Sequence, residues 1–286
     1  MKLAIISDIH ANLPALEAVL ADLDTWHPDF VVVDGDVVNR GPRPRECLHR
    51  ILERQEEGGW PYLLGNHEEY VLAHYRSEVP KTGPLAEVYR YSRWTLEQLG
   101  EDVRFILDLP FCLTLEEHTP QVYVTHASPL GTRDGLYPEM DDEEIRKRLP
   151  GPIPLLGVAH THRPFIRRVD DTLVVNAGAV GLPFDGDWRA SYARLWWDGE
   201  TWSGRIHRLP YDRERAIEDF YTTGFLEEAG PLAQLILIEL KEARSQLFQW
   251  TTAYLDKVLA GEMSVAEAVQ EFLRSENLHP ATHHRV

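Results

Sequence analysis

The sequence predicts an α/β protein, on three observations. Short apolar, β-branched runs recur through the first two thirds of the chain, and several end abruptly in a polar cluster. The first two runs flank an amphipathic helical stretch, the pattern of a βαβ unit. From residue 211 onward only helical patterns remain. These set the expected division: residues 1–210 as one α/β domain with a helical insert at about 69–107, and a helical extension over residues 211–286. A chain of 286 residues, 43% hydrophobic, can bury a core of that size.

In chain order, residues 3–6 read as a strand, followed by Asp8 and His10 in a loop. Asn12 can cap a helix beginning near Leu13, with Pro14 tolerated in its first turn, and Leu16, Val19, Leu20 and Leu23 give that helix an apolar stripe. Residues 30–33 (FVVV) read as a buried parallel strand that delivers Asp36, with Gly35 letting the backbone turn just before the acid. A helix is expected over 45–55, ended by Gly58-Gly59, then a third strand over 60–64 ending in Gly65-Asn66-His67-Glu68. The insert is helical, broken at Pro80 and Pro84. Strands over 111–115 and 122–125 are expected across a turn near Pro120, the second ending at His126. Residues 134–148 read as a loop with a short helix near the mouth of a cleft. A strand over 155–158 ends in Ala159-His160-Thr161-His162. Runs at 165–169, 172–175, 192–197 and 201–207, separated by turns such as Asp170-Asp171 and Asp198-Gly199, read as antiparallel hairpins. Helices over 232–247, 250–259 and 264–274 complete the reading, the last with Ser264 and Glu267 as a capping box.

The formal charge of −17 argues against a protein that holds nucleic acid along a basic groove. No run of about 18 apolar residues exists to cross a membrane. The start, MKLAIISDIH, carries an acid and a His where a signal peptide needs an apolar core, so a cytoplasmic location is expected. Cys47 and Cys112 give no disulfide framework and are expected to be reduced and structural.

Five expected strand ends thus present Asp8 and His10, Asp36, Asn66 and His67, His126, and His160 and His162. In open α/β sheets, ligands bind outside the carboxyl ends of the strands. Imidazole and carboxylate donors together suit Mn, Fe, Zn, Ni or Co, whereas Mg and Ca prefer oxygen alone. Asp36 is read as bridging two such ions. Pairing of ions can clamp the attacking and leaving oxygens of a displacement at phosphorus, and a His beside them can assist the leaving group. His27, His49, His74, His118 and His207 have no partner pattern, and the terminal His279, His283 and His284 read as a frayed tail and not as a metal site.

Asp8-Ile-His10, the run from Gly35 to Gly41, Gly65-Asn66-His67-Glu68, His126 and His160-Thr-His162 together resemble the calcineurin-like metallophosphoesterase superfamily. That resemblance implies a four-layer α/β/β/α sandwich. It implies Asp8, His10 and His162 on one ion, Asn66, His126 and His160 on the other, and Asp36 on both, with a bridging hydroxide as nucleophile. Manganese is the first expectation for the metal. His67 would be a general acid or a transition-state contact, and Arg40 matches a phosphate-contacting arginine. Arg163 is a further candidate for substrate phosphate, and Glu68 a candidate to orient His67. Asn39 stands where the related serine/threonine protein phosphatases carry an acid, Ala11 replaces a usual glycine after Asp-x-His, and Ala159 replaces the glycine before His160.

The expected activity is hydrolysis of a small phosphodiester or phosphomonoester, with a protein phosphatase or a dinucleoside polyphosphate hydrolase as the alternative. A scaffold that kept the fold and its metals but lost the reaction is the alternative from another class. The apolar C-terminal helices are expected to pack on their own core or on a second copy.

Overall fold

Strands β1 (Lys2–Ile6) and β2 (Phe30–Val33) pair in parallel around helix α1 (Leu13–Trp26), the βαβ start read from the sequence. The computed structural model describes residues 1–115 and 121–279. Asn12 caps α1 by accepting the Ala15 N–H at 3.2 Å, with Pro14 in the first turn. Helix α2 (Pro44–Gly58) stops at Gly59, whose φ of +65° few other residues adopt comfortably. The expected strand over 60–64 is not formed. Val33 gives its N–H to the Pro61 carbonyl and accepts from Leu63, leaving a single bridge to Tyr62. Pro61 has no N–H for a longer ladder.

The insert folds as α3 (Asn66–Tyr75), α4 (Pro84–Val88), α5 (Arg90–Leu99) and a 3-10 turn at Gly100–Ile106. Strands β3 (Cys112–Leu115) and β4 (Val122–Thr125) pair antiparallel; the turn expected near Pro120, with His118, lies outside the described residues. Then come α6 (Asp142–Arg146), β5 (Leu155–Val158), β6 (Phe165–Val169), β7 (Thr172–Asn176), β8 (Ala190–Trp197) and β9 (Trp202–Leu209).

One sheet has the order β2-β1-β8-β9, the other β3-β4-β5-β7-β6. Apolar side chains of the two sheets meet in a core that includes Ile5, Val32, Val124, Leu155, Val175, Leu195 and Trp202. The outer face of the first sheet, through Ala4, Ile6, Val31 and Val33, packs on the main helical core. The outer face of the second carries a thinner layer, in which Leu136 and Ile145 cover Leu156, Val158 and Val174. This is the four-layer α/β/β/α arrangement, its fourth layer reduced to α6 and its flanking loop.

The C-terminal helices α7 (Arg213–Thr222), α8 (Phe225–Glu228), α9 (Ala233–Glu242), α10 (Leu247–Leu259) and α11 (Val265–Ser275) join the same core as α1 and α2, through Phe225, Leu235, Ile236, Trp250 and Val269. The helix expected over 232–247 ends at Glu242 because Ala243 turns left-handed (φ 51°) and buried Glu239 takes the N–H groups of Gln246 and Leu247. Ser264 and Glu267 form the expected capping box. Cys47 is buried and Cys112 half-buried, both as free thiols. No helix among the described residues is long and apolar enough to cross a membrane. His279 is exposed, and His283 and His284 lie outside the described residues.

Candidate metal centre

The loops after β1, β2, β4 and β5 converge at one edge of the two sheets. Loop meets loop through the backbone: Asp8 N–H donates to Gly35 O (3.3 Å), His10 N–H to Asp36 O (3.0 Å) and Ala11 N–H to Val37 O (2.9 Å). The two sheets are tied together where His160 N–H donates to Asp8 Oδ2 at 3.1 Å. Asp8, His10, Ala11, Asp36, Asn39, Arg40, His160 and His162 all have positive φ between 48° and 72°. Such conformations are costly for non-glycine residues and collect at functional sites. Ala11, at φ 53°, thus occupies a conformation in which glycine would be unstrained. Gly65 is required for another reason: a Cβ there would sit 2.1 Å from Asp36 Oδ1.

The convergence places two groups of donor atoms side by side. Asp8, His10, Asp36 and His162 form one, Asp36, His126 and His160 the other, each group's atoms within 4.8 Å of one another. Asn66 belongs with the second, its Oδ1 lying 3.1 Å from His126 Nε2 and 2.8 Å from His160 Nδ1. His10, His126 and His162 each turn Nδ1 to a backbone carbonyl, of Asn39 (3.4 Å), Asp34 (2.7 Å) and Leu182 respectively, which leaves Nε2 facing inward. Asn176 holds the His160 loop, donating to Ala159 O at 2.8 Å and to Thr161 Oγ1 at 2.9 Å.

Three features fit this cage to cations. Asp8 Oδ1 and Asp36 Oδ2 are buried with no hydrogen-bond partner, although buried carboxylate oxygens ordinarily find one. The Nε2 atoms of His10 and His162 face each other at 3.1 Å. With both Nδ1 protons given to carbonyls, these are two opposed lone pairs, which an intervening cation would reconcile. Finally, the donors are nitrogen and oxygen with no thiolate.

The electrostatics agree. Burial alone would raise the Asp8 and Asp36 carboxyls, but His162 beside the first and His126 beside the second outweigh it and hold both below the usual range. Burial lowers His10, and with His126 nearby lowers His160 to about 4. His126 is raised, burial notwithstanding, by the charge of Asp36. Ionised carboxylates and neutral imidazoles are the states that ligate metal; His126 is the exception, its charge being the one a cation beside Asp36 would displace along with the Nε2 proton.

His67 stands at the cage without joining either donor group. Its backbone N–H donates to Asp36 Oδ1 (2.8 Å), its ring meets that of His10 edge-on, and burial lowers its pKa well below the ordinary imidazole value. Glu68 does not orient it. Glu68 is fully buried and accepts N–H groups from Asp36 (2.8 Å), Val37 (2.9 Å), Val38 (3.2 Å) and Gly65 (3.0 Å), and the Tyr62 hydroxyl (2.8 Å). It shapes the loop that presents Asp36 and is not a His67 partner. Burial and the nearby Asp36 charge raise its carboxyl to about 7.

Arg40 is buried, and its guanidinium pairs with Glu239 of α9. Phe184 lies between the cage and this arginine, stacked on His162 at 4.2 Å and beneath Arg40 at 5.5 Å. Arg163 sits at the rim, paired with Glu139. Sequence reading missed Glu239, Phe184 and the Leu182 carbonyl. None of the three stands at an expected strand end, the placement that marks the donor residues of the cage.

Comparison with known proteins gives the family. A family model for the calcineurin-like phosphoesterase superfamily domain matches residues 1–199. The phosphodiesterase YfcE of Escherichia coli is 26% identical over 204 residues, covering 68% of this chain and 87% of its own. An uncharacterized protein of Methanocaldococcus jannaschii is 28% identical over 235 residues, 76% of this chain and 90% of its own. A metallophosphoesterase crystal structure from Sphaerobacter thermophilus superposes with a TM-score of 0.68 at 28% identity, covering 85% of this chain and 99% of that one. The chain belongs to the calcineurin-like phosphoesterase superfamily, hydrolases of phosphoester bonds that depend on metal, and its buried Asp/His cluster could bind metal.

Proposed function

We propose that Asp8, His10 and His162 hold one divalent transition ion, that Asn66, His126 and His160 hold a second, and that Asp36 is shared between them. On this reading the protein hydrolyses a phosphodiester or phosphomonoester of a small molecule. The observation that carries the proposal is the meeting of two donor groups in one side chain, Asp36, whose buried Oδ2 makes no hydrogen bond. Bound there, paired ions would supply an acidified water as nucleophile and a clamp on the oxygens at phosphorus.

The chain's own residues do the rest. Glu68 fixes the loop of Asp36, the backbone carbonyls fix the ring nitrogens, and His67 meets the phosphoryl group beside the ions. Arg40, anchored by Glu239, is assigned to a substrate phosphate, with Arg163 available at the rim if it leaves Glu139. A small substrate suits a cage whose donors are buried except at His160. The likeness to the phosphodiesterase YfcE favours a diester. Asn39, where protein phosphatases carry an acid, counts against a protein substrate, and retention of every expected ligand together with His67 counts against a retired scaffold. The imidazole-rich set suits manganese, iron, zinc, nickel or cobalt. The free thiols and an acidic surface agree with a cytoplasmic setting and no extended nucleic-acid contact.

The test is reconstitution with manganese, elemental analysis, and turnover of a nitrophenyl phosphate, a bis-nitrophenyl phosphate, cyclic nucleotides and dinucleoside polyphosphates. Two ions per chain and turnover of at least one ester are expected. Folded protein that binds two ions and turns over none of them returns the scaffold reading.

A further inference from the structure

One nitrogen of His67 has a defined neighbour: Nδ1 lies 3.1 Å from Nδ2 of Asn39. Which end of the Asn39 amide faces the ring is decided by other groups. The amide oxygen accepts the backbone N–H of Arg40 at 3.0 Å and has the Thr95 hydroxyl 3.2 Å away, while the amide nitrogen also donates to Ser92 Oγ at 2.9 Å. A backbone N–H can only donate. Turning the amide round would set its NH2 against the Arg40 N–H, in a place where Asn39, Ser92 and Thr95 are fully buried and such a clash is costly. The NH2 therefore faces His67, and Nδ1 must accept.

We propose that Asn39 holds His67 with its single proton on Nε2, making it a hydrogen-bond donor to the phosphoryl group and not a proton donor to the leaving group. The preferred substrates are then those whose leaving oxygen is acidic, an aryl or phosphoryl oxygen, over simple alkyl esters. The proposal rests on the phosphoesterase reading above and concerns donors and acceptors. To give up a proton and end neutral, the ring must begin with protons on both nitrogens, and Nδ1–H would then confront the Asn39 NH2. Giving up its only proton would instead leave an imidazolate anion close to the Asp36 carboxylate.

In the hydrolysis, a P–O bond forms to the oxygen of water and the P–O bond to the leaving group breaks. The electron pair departs on the leaving oxygen, the water proton passes to solvent, and His67 keeps its own. A phenolate or phosphate oxygen carries that pair unaided; an alkoxide does not. A carboxylate at residue 39 would reverse the arrangement, since it accepts Nδ1–H and supports a ring protonated on both nitrogens.

The experiment compares wild type, His67→Ala and Asn39→Asp, each loaded with manganese, on phosphodiesters whose leaving groups run from nitrophenol through phenol to a simple alcohol. In wild type the rate should fall steeply as the leaving group becomes less acidic. His67→Ala should lower kcat by a similar factor for every leaving group, roughly 10²-fold, the scale of one lost transition-state hydrogen bond. Asn39→Asp should raise the alkyl-to-nitrophenyl ratio of kcat about tenfold or more. Residue 39 has φ 72°, which Asp tolerates, so the variant is expected to fold.

A readout independent of turnover is the long-range proton–nitrogen spectrum of histidine-labelled, chelator-treated full-length protein. The ring whose signals vanish in His67→Ala should carry its proton on Nε2 in wild type. A His67→Ala loss that grows toward alkyl leaving groups, or a wild-type ring protonated on Nδ1, overturns the assignment, whether or not Asn39→Asp folds. Absence of all turnover in metallated protein would instead defeat the phosphoesterase reading, and the spectrum would still decide the proton position.

Discussion

The half of the cage formed by Asp8, His10 and His162 is buried throughout, whereas the half formed by Asn66, His126 and His160 opens at His160, which is only partly buried. Both histidines of the closed half turn Nδ1 to backbone carbonyls, and His162 is further clamped by the ring of Phe184. In the open half only His126 has such a carbonyl; His160 directs Nδ1 to Asn66 and relies on its backbone N–H to Asp8 for position. A closed, pre-set half and an open, adjustable one are what a centre needs if one cation is permanent and the other meets water and substrate. Among the described residues, Asp36 is the carboxylate that belongs to both donor groups, so it spans the closed half and the open one.

The largest expected effect comes from erasing the contrast. Asp36→Ala removes the shared donor, so both halves should lose affinity and elemental analysis should find well under one ion per chain. Turnover should fall roughly 10³-fold, the several kcal/mol that metal Lewis acidity supplies. Two retained ions would mean that Asp36 is not shared. A smaller effect is expected from Glu68→Ala, which leaves four N–H groups of the Asp36 and Gly65 turns without an acceptor. Groups supporting metal ligands are typically worth 10- to 100-fold in affinity, and titration calorimetry with manganese should show both halves weakened together. Smaller still is the difference between the halves themselves. A chelator should strip manganese in two phases, and His160→Ala should abolish the faster one while sparing the slower. His162→Ala should do the reverse, and a single phase in wild type would remove the asymmetry.

How far this centre is legible in sequence depends on what each residue's position rests on. Asp8, His10, Asp36, Asn66, His67, His126, His160 and His162 could be read because each follows an apolar run or a glycine turn, and local pattern suffices to place them at one edge. The βαβ start, the hairpins and the Ser264 capping box were legible for the same reason. Residues 60–64 misled because the apolar content of a strand is present while Pro61 withholds the donor that a ladder needs. Glu68 misled because its neighbour in sequence is His67, yet its partners are backbone groups some thirty residues earlier, at Asp36, Val37 and Val38. Glu239 had no local signal at all: an acid in an apolar helix acquires meaning only when α9 packs over the loop of Arg40. A buried side-chain acceptor for N–H groups just beyond the last turn, and not propensity, also decides the end of that helix at Glu242.

The smallest effect on the cage, and a check that its two halves share one scaffold, comes from Asp34. Its carbonyl anchors His126, but both carboxyl oxygens are buried with no hydrogen-bond partner, and burial pushes the group up to about 8. An unfolded aspartate titrates near 3.9. The folded metal-free protein therefore keeps a proton that the unfolded chain releases, so this group's contribution to stability is present below about pH 4 and is lost as the pH rises toward 8. Asp34→Asn removes that dependence while keeping the backbone carbonyl. The chelator-treated Asp34→Asn variant should match the parent at pH 4 and exceed it progressively as the pH rises to 8. The gain should reach a few kcal/mol, since each pKa unit is worth about 1.4 kcal/mol. Urea midpoints at the two pH values measure it. A parent that gains stability over the variant between them would mean that Asp34 is ionised and partnered in the folded state, with His126 then held by more than the carbonyl. An unchanged manganese stoichiometry would show that the open half depends on the Asp34 backbone and not on its side chain.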